Sequence, residues 1–254
     1  MDQKQIFETA LYQSACDLNC RPEDFLKTEN VITYSIKNPE AKKYLALPDF
    51  CHLVSYGHNV VASIHPDIEE EIKNYLNDDQ AFHAFEAPKI FKLQRLLEKY
   101  HMTLGYLSVY YLPNLKKLQK LPCQYQLKIL NQDDFHDLYL PEWSMALCAE
   151  RKQLDILGVG AYDQGKLIGL AACSMDAKNM WQIGIDVLPE YRHQGIAASL
   201  SSHLAVEILK HDKVPFYACA WANLGSKRTA IRIGFEPAWV EMSALPMEKE
   251  ENDA

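Results

Sequence analysis

Between Ile183 and Leu200 the chain reads Ile-Gly-Ile-Asp-Val-Leu-Pro-Glu-Tyr-Arg-His-Gln-Gly-Ile-Ala-Ala-Ser-Leu. A β-rich run passes into a short polar loop with one glycine. A helix then opens on Ile-Ala-Ala-Ser. This junction constrains the fold more than any other stretch, because it requires a sheet and a helix to share one core. It also has a chemical meaning. The first turn of a helix carries backbone N–H groups without partners and the positive end of a dipole. Small residues there let an anion approach the backbone, which makes a cradle for pyrophosphate. No G-K-[ST] follows, so it is not a Walker loop, and no G-x-G-x-x-G is present, so it is not a dinucleotide fingerprint. On these residues alone, a plain strand–helix junction remains equally open.

The surrounding grammar predicts an α/β (α+β) protein. Residues 1–30 carry Ile6, Phe7, Ala10, Leu11 and Ala15 at helical period. Residues 51–56 and 59–64 read as a hairpin around Gly57-His58. Residues 87–100 read as a helix and 103–112 as a strand. The Lys-rich stretch 116–122 reads as a linker. After it come a strand at 124–130, helical stretches at 132–140 and 142–151, and strands at 157–162 and 167–175 joined by Asp163-Gln164-Gly165-Lys166. A strand follows at 180–187. Ile196, Leu200, Leu204 and Ile208 then step along a helix over 196–210. A strand at 216–221, a helix at 223–233 stopped by Gly234, and a strand region at 235–245 complete the order. The expected domains are 1–122, an α/β unit, and 123–247, with an acidic tail at 248–254.

Composition removes several classes of function. The 254 residues hold 26 Lys plus Arg against 34 Asp plus Glu, a net charge of −8. Residues 1–123 carry 14 basic and 16 acidic groups, and 124–254 carry 12 and 18. That is no face for a phosphate backbone, so nucleic acid is not an expected partner. No apolar run approaches the ~18 residues of a membrane span, and the N-terminus lacks the order of a signal peptide. The seven cysteines include no C-x-x-C, which predicts reduced, buried thiols in a cytoplasmic protein. Cys16 and Cys20 share a helix face, but nothing near them completes a metal site, and no metal is expected.

Arg192-x-x-Gly195-x-Ala197, preceded by Val187-x-Pro189, resembles the acetyl-CoA-binding motif of the GNAT superfamily of N-acetyltransferases. About forty residues later, Asn223-Leu-Gly-Ser226 leads to Gly234-Phe235, which resembles the N-x-x-S…G-F closing segment of the same family. The two together are far more specific than either alone. The resemblance covers about residues 124–245 and leaves 1–122 outside. The ending from Trp221 to Trp239 is similar to a bacterial subgroup with an extra N-terminal domain. The resemblance implies a mixed, mostly antiparallel sheet flanked by helices, an acyltransferase activity, acetyl-CoA as cosubstrate and a small-molecule primary amine as acceptor.

It also implies roles for particular residues. The backbone of Arg192, His193, Gln194, Gly195, Ile196 and Ala197 would hold the pyrophosphate of coenzyme A. Asp186, Val187 and Leu188 would pair through their backbone with the pantetheine amides, at a point where the strand parts from its neighbour. Asn223 would reach the cofactor with Ser226 beside it, although capping of the next helix explains both residues equally well. Asp186 is the one ionisable side chain on its strand and the candidate general base. The tyrosine that many members use as acid falls at Ala230. Tyr191, Tyr217 and Ser226 are the substitutes in view. Glu142 and Glu150 could attract a cationic amine, to which the acidic C-terminal half also inclines. Residues 1–122 would form a cap on the acceptor pocket or a degenerate GNAT-like half. A homodimer is compatible with all of this. Because Ala230 stands where the tyrosine would, a CoA-sensing module without turnover is the competing reading, and a purely structural domain is the third.

Overall fold

The computed structural model describes residues 1–77 and 80–248. Of the expected acidic tail, all but Glu248 lies outside the described residues. Among the described residues the fold is α+β, with ten strands that pair mostly antiparallel. The strands are β1 (Val31–Tyr34), β2 (Cys51–Ser55), β3 (Val61–Ile64), β4 (Met102–Pro113), β5 (Gln126–Asn131), β6 (Asp155–Asp163), β7 (Lys166–Ser174), β8 (Met180–Val187), β9 (Val214–Ala220) and β10 (Phe235–Pro246). The helices are α1 (Gln3–Leu18), α2 (Glu69–Leu76), α3 (Ala87–Glu98), α4 (Ile196–Lys210) and α5 (Leu224–Arg232). No described helix is long and apolar enough to cross a membrane.

The chain divides into two compact units: Leu11–Val109 with the residues from Trp239 onward, and Met1–Ala10 with Tyr110–Ala238. This departs from the cut expected at 122/123. The stretch 116–122 is no linker between units, since it belongs wholly to the second. Leu121 donates its N–H to Ser202 Oγ at 2.9 Å, and its carbonyl accepts from Ser199 Oγ at 2.9 Å. Its lysines suggested a solvated spacer, but the backbone just after Lys120 is bonded to α4.

In the first unit the strand order is β1-β3-β2-β10-β4. The expected hairpin is present, with Cys51 opposite Ile64 and Val54 opposite Val61. Strand β1 pairs in parallel with β3, in a segment whose polar flanks hid it from the sequence. Ile68, Ile72, Leu93 and Leu97 from the helical segments close an apolar core over Leu53 and Ile64. A second interior is charged. Lys42 Nζ lies 2.8 Å from Asp17 Oδ2 and 3.5 Å from Glu241 Oε1. His52 contacts Asp49 Oδ2 at 3.2 Å and Glu241 Oε2 at 3.4 Å. Trp239 Nε1 donates to Glu241 at 2.7 Å. Lys42, Asp17, His52 and Glu241 are all buried.

In the second unit the order is β4-β9-β8-β7-β6-β5. The β6–β7 turn holds Gln164 at φ 48° and Gly165 at φ 86°, the paired left-handed conformation that closes a tight hairpin. Helix α4 covers one face of this sheet. Its stripe of Ile196, Leu200, Leu204 and Ile208 is buried as the spacing predicts, each side chain being worth about 1.5–3 kcal/mol of apolar burial. Gly169 on β7 permits the approach, because a Cβ there would stand 3.1 Å from both Ile196 and Leu200. On the other face Phe135, Trp143 and Leu147 pack against Leu130, Leu170 and Ala172. The helices expected at 132–140 and 142–151 are instead short 3-10 turns at Gln132–Phe135, Pro141–Trp143 and Ala149–Leu154. Side-chain carboxylates take amides that a helix would have used. Asp134 binds Asn131 N, Asp155 binds Cys148 N, and Asp186 binds Met145 N and Ala146 N.

Candidate functional site

Strands β8 and β9 run in parallel, but their register ends after Met180↔Val214, Trp181↔Pro215 and Gln182↔Phe216. Strand β8 continues to Val187 and β9 to Ala220 without pairing each other. On its other side β8 stays paired with β7 as far as Gly169↔Val187. Leu188 N donates to Ile168 O at 3.0 Å. Antiparallel pairing alternates, so Gly184, Asp186 and Leu188 turn their backbone groups toward β7. Ile183, Ile185 and Val187 turn theirs toward the opened side. Buried backbone groups need partners, and this edge offers them to an extended ligand. An extended ligand on this edge would therefore meet the backbone of Ile185 and Val187, not that of Asp186 and Leu188. Both backbone groups of Leu188 are spent internally, its carbonyl accepting from Tyr191 N at 2.9 Å.

The opened strand leads into the loop 188–195. His193 (φ 63°) and Gly195 (φ 81°) are both left-handed. Gly195 serves as the N-cap of α4 without any side-chain cap. The first intrahelical bond runs from Ser199 N to Gly195 O at 3.0 Å. The amides of Ile196, Ala197 and Ala198 therefore point out of the helix end unpaired. They border a cleft of about 410 Å³ lined by Val187, Tyr191, Arg192, His193, Gly195 and the start of α4 on one side. Gly225, Arg228, Thr229 and Arg232 of α5 line the other. Arg192 Nε donates to Val187 O at 3.0 Å, which fixes that side chain against the strand end.

Of the residues expected at the cofactor, Val187, Arg192, His193, Gly195, Ile196 and Ala197 line this cleft. Leu188, Gln194, Asn223 and Ser226 do not. The Gln194 side chain accepts from Gln124 at 2.7 Å and from the Tyr125 hydroxyl at 2.9 Å. Asn223 Oδ1 accepts from Ser226 N at 3.0 Å, so this asparagine caps α5. Arg228 and Arg232 were missed. Their only sequence signal is a four-residue spacing on one helix.

Asp186 faces the sheet side opposite α4. One oxygen, Oδ2, accepts from Met145 N at 2.8 Å and Ala146 N at 2.9 Å. Burial raises its carboxyl above the usual range, against these two amides and Arg192, which lower it. The segment 143–147 crosses β8 closely here, and any side chain at Gly184 would collide with the Met145 carbonyl oxygen. Met145 itself is exposed. Tyr217 stands on β9 just beyond the last paired residue. It is buried, and its hydroxyl donates to Ser226 Oγ at 3.4 Å. Burial raises its pKa, which keeps the phenol protonated. Ala230 is fully buried, and the Tyr191 hydroxyl is committed to Asp163 at 3.0 Å. Glu142 and Glu150 are exposed and line no part of the cleft.

The family model described as GNAT acetyltransferase matches residues 52–238. Among solved structures, the chain is similar to a GCN5-related N-acetyltransferase-like protein from Streptococcus suis (16% identity, 75% of this chain and 82% of that one, TM-score 0.47). An acetyltransferase from the GNAT family from Colwellia psychrerythraea is also similar (18%, 61% of each chain, 0.44). So is a GCN5-related N-acetyltransferase from Kribbella flavida (16%, 59% and 63%, 0.45). This chain thus spans about three-fifths of the latter two. No curated protein matches.

Proposed function

Since the chain belongs to the GNAT acetyltransferase family, we propose that it is an acetyl-CoA-dependent N-acetyltransferase acting directly on a primary amine of a small molecule. The observation that supports this reading most is the continuity of one surface. The open edge of β8 runs into a helix N-terminus with three free amides and an arginine beside it. The residues fit a long ligand with amides at one end and a pyrophosphate at the other. When bound, acetyl-CoA supplies an acyl group activated as a thioester.

The chain's own residues do the rest. Ile185 and Val187 orient the pantetheine through the backbone. The amides of Ile196, Ala197 and Ala198, with Arg192, offset the pyrophosphate charge. Asp186 uses one oxygen to hold residues 145–146 and keeps the other for a proton. Its raised pKa brings it closer to the range in which a general base works. The acceptor must lose that proton to attack as a neutral amine. Tyr217, kept protonated by burial and standing where β8 and β9 part, is the donor for the departing thiolate. Most of the acceleration comes from holding two reactants in register.

The test is a turnover assay. The protein, acetyl-CoA and a panel of primary amines are mixed, and free thiol is followed. Thiol release that depends on one class of amine supports the proposal. Tight cofactor binding without release by any amine would replace it with the sensing module, a reading that the buried Ala230 at the usual tyrosine position favours.

A further inference from the structure

Helix α5 carries more positive charge into the cleft than a pyrophosphate requires. Arg228 and Arg232 stand one turn apart and line the same wall. A Cβ on Gly195 would lie 3.5 Å from both terminal nitrogens of Arg232, so this guanidinium reaches the apex of the phosphate loop. No acidic side chain lines the cleft. Among the described residues, neither arginine is paired with a carboxylate. Like charges four residues apart on a helix repel, and in a chain of net charge −8 partners were available. Two unpaired guanidinium forks facing one cleft are an arrangement suited to a dianion.

On the opposite side, the amides of α4 and Arg192 already offset a pyrophosphate. Resting on the acetyl-CoA reading above, we propose that Arg228 and Arg232 form a second anion subsite that binds the 3′-phosphate of the cofactor's adenosine. The α5 wall then makes the protein selective for coenzyme A over its dephospho form. A phosphate monoester carries about −1.5 to −2 charges and three acceptor oxygens at neutral pH. Two arginine forks match that geometry, where lysines would offer only point charges.

The experiment is calorimetric titration of the full chain with acetyl-CoA and with acetyl-dephospho-CoA, followed by the double variant Arg228→Ala/Arg232→Ala. The wild type should prefer the 3′-phosphorylated ligand by roughly 10- to 100-fold. The variant should bind the two within about threefold of each other, with its affinity for the dephospho ligand little changed. Equal affinities in the wild type would overturn the subsite and leave the cofactor reading standing. A preference that survives in a variant with an unchanged melting curve would also overturn it. Binding of neither ligand by the wild type would bring down the cofactor reading, and the subsite with it.

Discussion

Two groups of charges, one in each unit, are treated in opposite ways. In the first, Lys42, Asp17, His52 and Glu241 are buried and every charge faces an opposite one within 3.5 Å. In the second, Arg228 and Arg232 stand exposed along a cleft with no carboxylate in it. Burying an ion costs several kcal/mol and is tolerated only when partners compensate. Leaving a cation exposed costs little, so its lack of a partner need not be repaired within the chain. A completed network holds a fold together, and an incomplete one is available to a ligand. By that criterion the first unit's cluster is structural, and the cleft in the second is where function should be sought.

The largest effect that could break this contrast is in the buried cluster. Lys42→Met should cost about 3–5 kcal/mol in chemical denaturation, because it removes the buried cation that Asp17 faces at 2.8 Å. A loss below about 1 kcal/mol would mean that the cluster is hydrated, and the contrast would fail. On strand β8, Asp186→Asn should lower kcat/KM by about 10²-fold or more and remove the acid limb of its pH profile. An unchanged profile with a raised KM for the amine would make Asp186 only the anchor of residues 145–146.

A subtler signature lies in pH. Burial alone would lower the His52 pKa, but the hydrogen bonds it donates to Asp49 and Glu241 raise it to about 9. The folded state therefore holds this proton more tightly than the unfolded one. The stability it contributes is fully present below about 6.5 and is lost as pH rises toward 9. Melting curves should fall over that window in the wild type, and His52→Gln should flatten the fall. Glu241 behaves in the opposite sense. Its buried carboxyl would be pushed up, but Lys42 and His52 hold it well below the usual range. Its contribution is lost only as pH drops below about 4.5.

Much of the fold was legible because local chemistry dictated it. The tight turn at Gln164-Gly165, the buried stripe of α4 and the Asn223 cap all follow from a few adjacent residues. The region 132–154 was not legible. Its amides are taken by carboxylates up to 41 positions away, as Asp186 is from Met145, and periodicity carries no trace of such bonds. The same holds within the site. The loop around Gly195 announces itself by its glycine and its small neighbours. The alternation that assigns Ile185 rather than Asp186 to the open edge depends on a register set by β7. Arg232 reaches Gly195 only through the packing of α5, which no motif spells out.

Whether this cleft is the cofactor site is tested most directly by titrating acetyl-CoA into the wild type and into Gly195→Glu. The wild type should bind one equivalent with a micromolar Kd. The variant should lose at least about 100-fold in affinity, since a carboxylate at the loop apex repels the pyrophosphate. Undiminished binding by a folded Gly195→Glu protein, or none by the wild type, would contradict the account.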